Sequence, residues 1–211
     1  MGPYATQGES IPARRDLPSI ILASASPRRR QLLSEAGYEF TVVVPNIDES
    51  TFPSDRIDVR EYTELLALAK AKSVAQMHET SVVIGADTVV DFDGRIIGKA
   101  ADAADAESIT RTLFSKPHKV VTGLAIVRLS DNTRLVASDS TTVYPRRLTT
   151  EQIAQHIEGG SWRDKAGAYA IQENGDEFVE RIEGSLTNVM GLPMELLESL
   201  LGQLGISAKK D

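Results

Sequence analysis

Cysteine is absent from the 211-residue chain, which excludes disulfides, thiolate nucleophiles and cysteine-ligated zinc. Histidine is scarce: His78, His118 and His156 lie far apart and in no metal-ligand spacing. No apolar run approaches the roughly 20 residues of a membrane-spanning helix. The first eighteen residues hold glycine, proline, arginine and acidic groups but no apolar core. They predict no secretory signal, but a mobile tail (1–18) on a cytoplasmic protein. Positive charge is also in deficit. A formal net charge of -7 argues against tight binding of DNA or RNA, whose affinity rests on neutralising many phosphates. It leaves room for a small phosphorylated ligand in a locally basic cleft.

What is present is ordinarily globular, with 41% hydrophobic and 25% charged residues. The length suffices for a well-filled core. No repeat, low-complexity linker or composition shift marks a boundary. The expectation is one compact α/β domain over 19–204 and a polar C-terminal tail at 205–211.

The most telling stretch is Ser24-Ala25-Ser26-Pro27-Arg28-Arg29-Arg30. Ile20-Ile21-Leu22-Ala23 before it reads as a strand, and Leu32, Leu33 and Ala36 after it have helical spacing. Ser26 suits an N-cap and Pro27 the first helical position. Three arginines then fall in the first helical turn, where the macrodipole is already positive. A strand, a tight turn and a cationic helix start point to a bound anion, most simply a phosphate. Successive helical residues differ by about 100°, so the three cannot all face one ligand. Two adjacent ones can, with Ser24 or Ser26 and backbone N–H groups. The alternative is a solvated basic turn balanced by Glu35 or other carboxylates.

Further along, Phe40 to Val44 reads as a strand, 45–54 as a polar loop and 58–77 as a helix. Ser81 to Val90 is apolar and β-branched. Asp93-Gly94 signals a hairpin returning through Arg95-Ile96-Ile97. A helix is expected from about Asp102 to Phe114, then strands over 120–129 and 134–144. Thr149 or Thr150 can cap a helix ended by Gly159-Gly160. Short strands are expected around 168–171 and 177–182. Gly191 and Pro193 precede a final amphipathic helix.

Asp87 lies within an apolar strand, where a carboxylate is costly unless paired or metal-bound. It can hold a divalent ion and orient or deprotonate a water. Equally, it can be a strand-end aspartate bonded to a turn. Gly85 and Ala86 leave room for a ligand beside the backbone. Asp48 and Glu49 are adjacent in an extended loop and point apart, so at most one is expected to reach a site, and simple solvation is the favoured reading of the residues alone. Lys70 and Lys72 are about 200° apart on one helix. Lys99 follows the hairpin and can place its charge on a phosphate, or remain a surface residue. Gln172 offers a donor and an acceptor, as base recognition needs. His118 and Trp162 are assigned to packing or surface.

As an ordered set these segments resemble the Maf family of nucleoside triphosphate pyrophosphatases. The matching runs include Leu22 to Arg29, Asp48-Glu49, Lys70-Ala71, Gly85 to Val90, Gly98-Lys99 and Thr122-Gly123. Asp164 to Tyr169, Ile171-Gln172 and Asn188 to Pro193 continue the pattern, over about residues 19 to 201. The resemblance implies an α/β fold with a long mixed central sheet, flanking helices and two lobes around a cleft, similar to inosine triphosphate pyrophosphatases. It implies hydrolysis of a nucleoside triphosphate to monophosphate and pyrophosphate with a divalent metal (Mg²⁺ or Mn²⁺, or Co²⁺), as nucleotide house-cleaning, often in a homodimer. It carries the catalytic acid onto Asp87, metal binding onto Glu49 and Asp87, and phosphate binding onto Ser24, Arg29, Lys70 and Lys99. Arg28, Thr88 and Gln172 stand at specificity positions and match the dTTP/UTP type. The 7-methyl-GTP type typically lacks the proline and the Asp-Thr pair. Leu65, Ala100 and Glu173 depart from the pattern. A nucleotide-binding regulator that no longer hydrolyses is the alternative.

Overall fold

The computed structural model describes residues 19–53, 57–163, 165–169, 171 and 178–209. The expected tail 1–18 and the specificity position Gln172 lie outside the described residues. Among the described residues, no helix is long and apolar enough to cross a membrane.

Seven strands form one mixed sheet. They are β1 (Ile20–Ala23), β2 (Phe40–Val43), β3 (Val82–Phe92), β4 (Arg95–Ile97), β5 (His118–Arg128), β6 (Thr133–Pro145) and β7 (Val179–Glu183). The order is β2-β1-β3-β5-β6-β7, with β4 also on β3. β1 is parallel to β2 and β3, and the pairs from β3 onward are antiparallel. The helices are α1 (Pro27–Glu35), α2 (Val59–Ala75), α3 (Ala103–Leu113), α4 (Thr150–Gly159), α5 (Leu186–Met190) and α6 (Met194–Gln203).

Local signals set many of these ends. Ser26 caps α1 with Pro27 at its start, and Thr149 forms a capping box with Gln152 on α4. Asp93 and Gly94 have φ of 53° and 77°, as a two-residue type I′ hairpin turn requires. The short helix α5 was not expected; Ser185 caps it and Gly191, at φ 107°, ends it. Where a strand is expected around 168–171, Gly167 and Ala168 form a turn, and neither Tyr169 nor Ile171 lies in a strand among the described residues. That turn is fixed by long-range partners described below, which local β propensity does not report. The region expected as a C-terminal tail packs on the domain as far as it is described. Ile206 is buried, and the Lys209 amide donates to the Gly37 carbonyl at 3.2 Å.

The pleat of β3 sorts its side chains between two layers. Val82, Ile84 and Ala86 join Leu33, Leu124 and Leu197 in the core beneath α1 and α6. Val83 faces the other way, with Ala67 and Ala71 of α2. A further core around Val90, Phe114, Val143 and Tyr169 builds the second lobe on the far half of the long strands.

Two glycines decide how α2 docks. A Cβ on Gly85 would sit 2.3 Å from the Ala67 carbonyl oxygen, and one on Gly123 2.2 Å from the Thr63 carbonyl carbon. The space at Gly85, expected to admit a ligand, is therefore filled by the α2 backbone. Gly123→Ala is expected to cost at least about 1–3 kcal/mol by overpacking against backbone that cannot rotate away. Gly159→Ala, with open space around its Cβ position, serves as the near-neutral control. Chemical denaturation of both variants checks this, and equal midpoints would refute it.

Both β1 and β4 must lie on the same edge of β3, because β5 pairs along the other edge from Val83 to Asp91. β1 takes Val82 to Gly85 and β4 takes Val90 to Phe92. Ala86 to Val89 are left without a strand partner on that edge among the described residues. The fork opens at the carboxyl ends of parallel β1 and β2, where ligands of open α/β sheets commonly bind.

Candidate active site

Asp87 lies in this fork on the α2 face of β3, opposite Gly123 in the register. It is 6% exposed. Lys70, on α2, is 7% exposed, and its ammonium lies 2.6 Å from Asp87 Oδ1. The same Nζ lies 2.9 Å from Glu49 Oε1. Two carboxylates thus converge on one cation at a point set by the docking of α2 on Gly85 and Gly123. A charge this buried is tolerable because it is paired.

Asp48 and Glu49 divide their work. Asp48 accepts from the Ser50 amide at 3.0 Å and the Ser50 hydroxyl at 2.6 Å, which caps the single turn Glu49–Thr51 and holds its carboxyl below its usual value. Glu49, one residue on, reaches Lys70.

On the opposite face of β3, Thr88 meets Arg29. The guanidinium donates from Nε to the Gly191 carbonyl at 2.7 Å, from Nη2 to Thr88 Oγ1 at 3.0 Å and from Nη1 to Ser24 Oγ at 3.4 Å. It ties the end of β1, the middle of β3 and the end of α5 together. Burial pulls its pKa below the usual value, Asp87 and Glu49 push the other way, and Arg28 adds to the lowering. It remains a cation at any ordinary pH. Arg28 is half-buried, while Arg30 is exposed. This unequal exposure agrees with the helical geometry, which turns the three arginines in different directions.

Several members of this arrangement were not anticipated. Thr88 Oγ1 is 2.9 Å from Thr122 Oγ1, which donates to the Asn188 carbonyl at 3.0 Å. Asn188 is fully buried and donates from Nδ2 to Val120 O and Thr141 Oγ1, both at 3.0 Å. Tyr62, two turns before Lys70 on α2, packs with Val59, Val89 and Val121. Its hydroxyl pKa is raised, first by burial and then by the charges of Asp87 and Glu49. Its spacing of eight from Lys70 was the available signal, since it puts both on one helix face.

The structure does not bring Lys99 into contact with this cluster. It is exposed beyond β4, and its backbone bridges Ala166. His118 and Trp162 are buried, at 3% and 6% exposure.

A family model described as Maf-like protein matches residues 19–204. The chain belongs to the Maf-like family. A protein named dTTP/UTP pyrophosphatase from Citrifermentans bemidjiense is 44% identical to this Maf-like chain over 190 residues, covering 89% of this chain and 97% of its own. One of the same name from Dictyoglomus thermophilum is 43% identical over 188 residues, covering 89% and 97%. The solved structure of the Staphylococcus aureus Ham1 protein matches with a TM-score of 0.51 at 13% identity, over 88% of this chain and 99% of that one. That likeness shows the α/β fold expected from the resemblance.

Among the described residues, no group of three or more acidic or histidine side chains converges as a ready-made metal cage. The point that Glu49 and Asp87 share is filled by the Lys70 ammonium, so a divalent cation would be held by carboxylate oxygens beside that lysine and not at the shared point. That donor set fits Mg²⁺ or Mn²⁺, which commonly take one or two carboxylates and complete their shell with water and substrate phosphates.

Proposed function

We propose that this protein hydrolyses nucleoside triphosphates, with dTTP and UTP favoured, to the monophosphate and pyrophosphate. The catalytic unit is 19–204, acting in the cytoplasm as a homodimer that clears unwanted nucleotides. The observation that carries the reading is the buried Lys70–Asp87 pair with Glu49, set in the sheet fork beside the arginine-rich start of α1. The names of the relatives support the choice of nucleotide.

In this reading Asp87 orients the attacking water and takes up its proton. The water oxygen forms a bond to the α-phosphorus as the bond to the bridging oxygen breaks, and pyrophosphate leaves with the electron pair. Lys70, held between two carboxylates, and Arg28, Arg29 and Lys99 balance charge on the triphosphate, with Ser24 donating a hydrogen bond. Charge neutralisation and positioning supply most of the acceleration in such transfers. Glu49 and Asp87 would hold a divalent cation, which supplies Lewis-acid neutralisation of the phosphates when bound. Arg28, Thr88 and Gln172 select the base.

The test is a panel of natural and modified nucleoside triphosphates assayed for pyrophosphate release with Mg²⁺, Mn²⁺ and Co²⁺. Turnover highest on dTTP and UTP, and lost on chelation, is the expected result. Nucleotide binding without pyrophosphate release would identify a non-hydrolysing regulator instead. Preference for 7-methyl-GTP would reassign the substrate.

A further inference from the structure

Two of the three histidines hydrogen-bond to neighbouring residues of one turn. His118, at the start of β5, has Nδ1 3.1 Å from the Leu113 carbonyl and Nε2 2.9 Å from the Tyr169 hydroxyl. A carbonyl only accepts, so Nδ1 carries the proton and Nε2 accepts from Tyr169. Burial pulls the pKa of His118 down, which keeps this neutral form. His156, on α4, has Nε2 2.7 Å from the Ala168 carbonyl and Nδ1 3.2 Å from Ser161 Oγ. The Ala168 carbonyl only accepts, so Nε2 donates to it. One histidine accepts from the turn and the other donates to it.

The turn they grip is held against its own backbone preference. Ala168 has φ +59°, uncommon for any residue but glycine, and is fully buried. Gly167 has φ +72°, and a Cβ there would lie 2.8 Å from Val90 Cγ2 and 2.9 Å from Leu113 Cδ1. Strained turns persist only where their surroundings over-determine them. The turn in its own right holds the segment after β4. The Gly167 amide donates to the Gly98 carbonyl at 2.9 Å, and Ala166 bridges Lys99.

We propose that His118 and His156 are positioning residues, which fix the Gly167–Tyr169 turn and through it set the backbone of Lys99 for the triphosphate. The role of Lys99 rests on the reading above; the clamp itself does not. Tyr169→Phe removes the hydroxyl and keeps the ring. His156→Phe removes the other grip, and His156→Gln restores a donor.

The test has two arms. In unliganded protein, hydrogen exchange of the Gly167 amide is expected to quicken at least about tenfold in Tyr169→Phe and His156→Phe, with α2 and β3 unchanged and His156→Gln nearer wild type. In pyrophosphate release, Tyr169→Phe is expected to lower kcat/KM about five- to tenfold, the scale of one neutral hydrogen bond. It should have no further effect in a Lys99→Ala background, because residues acting through one another are non-additive. Unchanged exchange overturns the clamp. Faster exchange with wild-type kinetics, or an equal loss in the Lys99→Ala background, overturns the positioning role. Wild-type protein inert on every nucleotide refutes the proposed reaction instead, and the exchange arm still decides the clamp.

Discussion

The Asp87→Asn variant is expected to fold normally and to lose about 10²–10⁴-fold in kcat, the range of a positioned acid or base. Asparagine has nearly the shape of aspartate, and its carbonyl oxygen still accepts the bond that Lys70 makes at 2.6 Å. Lys70 keeps its second partner, Glu49, at 2.9 Å. The neutral amide cannot take a proton from water and is a poorer ligand for a divalent ion. Stability and activity therefore separate at this position: the melting temperature moves by a few degrees while pyrophosphate release collapses. Measuring both on the same preparation is the check. Near-wild-type turnover with metal and dTTP would remove Asp87 from the reaction.

Features governed by local rules were legible in the sequence. Ser26 and Pro27 fix the start of α1 by capping geometry, and Asp93-Gly94 fixes a hairpin by its backbone demands, so both were found at their places. Asp87 was singled out by its cost in an apolar strand. Lys70 was named as a phosphate-binding position but not as its partner, because Lys70 reaches Asp87 only when α2 rests on Gly85 and Gly123, a packing decision made far along the chain. The same decision overturned the expectation that Gly85 leaves space for a ligand. Gly167-Ala168-Tyr169 was read as leading into a strand for a similar reason. Its conformation comes from His118 and His156, 51 and 12 residues from their partners in the turn. Thr122 and Asn188 stood in runs that match the family pattern but were given no role, since neither a buried amide nor a buried hydroxyl announces its partners from sequence.

Lys70→Met should be the most destabilising single change at this site, by about 3–5 kcal/mol, because it leaves the Asp87 carboxylate buried without a cation. For a chain of this size that lowers the melting temperature by about 6–20 °C. Glu49 adds little to the loss, since its side chain is 54% exposed and returns to water. The asymmetry with Asp87→Asn follows: removing the cation strands a buried charge, whereas removing the aspartate charge leaves the cation with Glu49. The double variant Lys70→Met/Asp87→Asn buries no charge, so it is expected to recover most of the stability lost in Lys70→Met while remaining inactive. Additive losses in the double variant would mean that Lys70 and Asp87 are not energetically coupled. Recovery of stability without recovery of turnover would instead separate the two duties proposed for the pair: charge compensation can be designed away, whereas the proposed reaction still needs the carboxylate to take the proton from water.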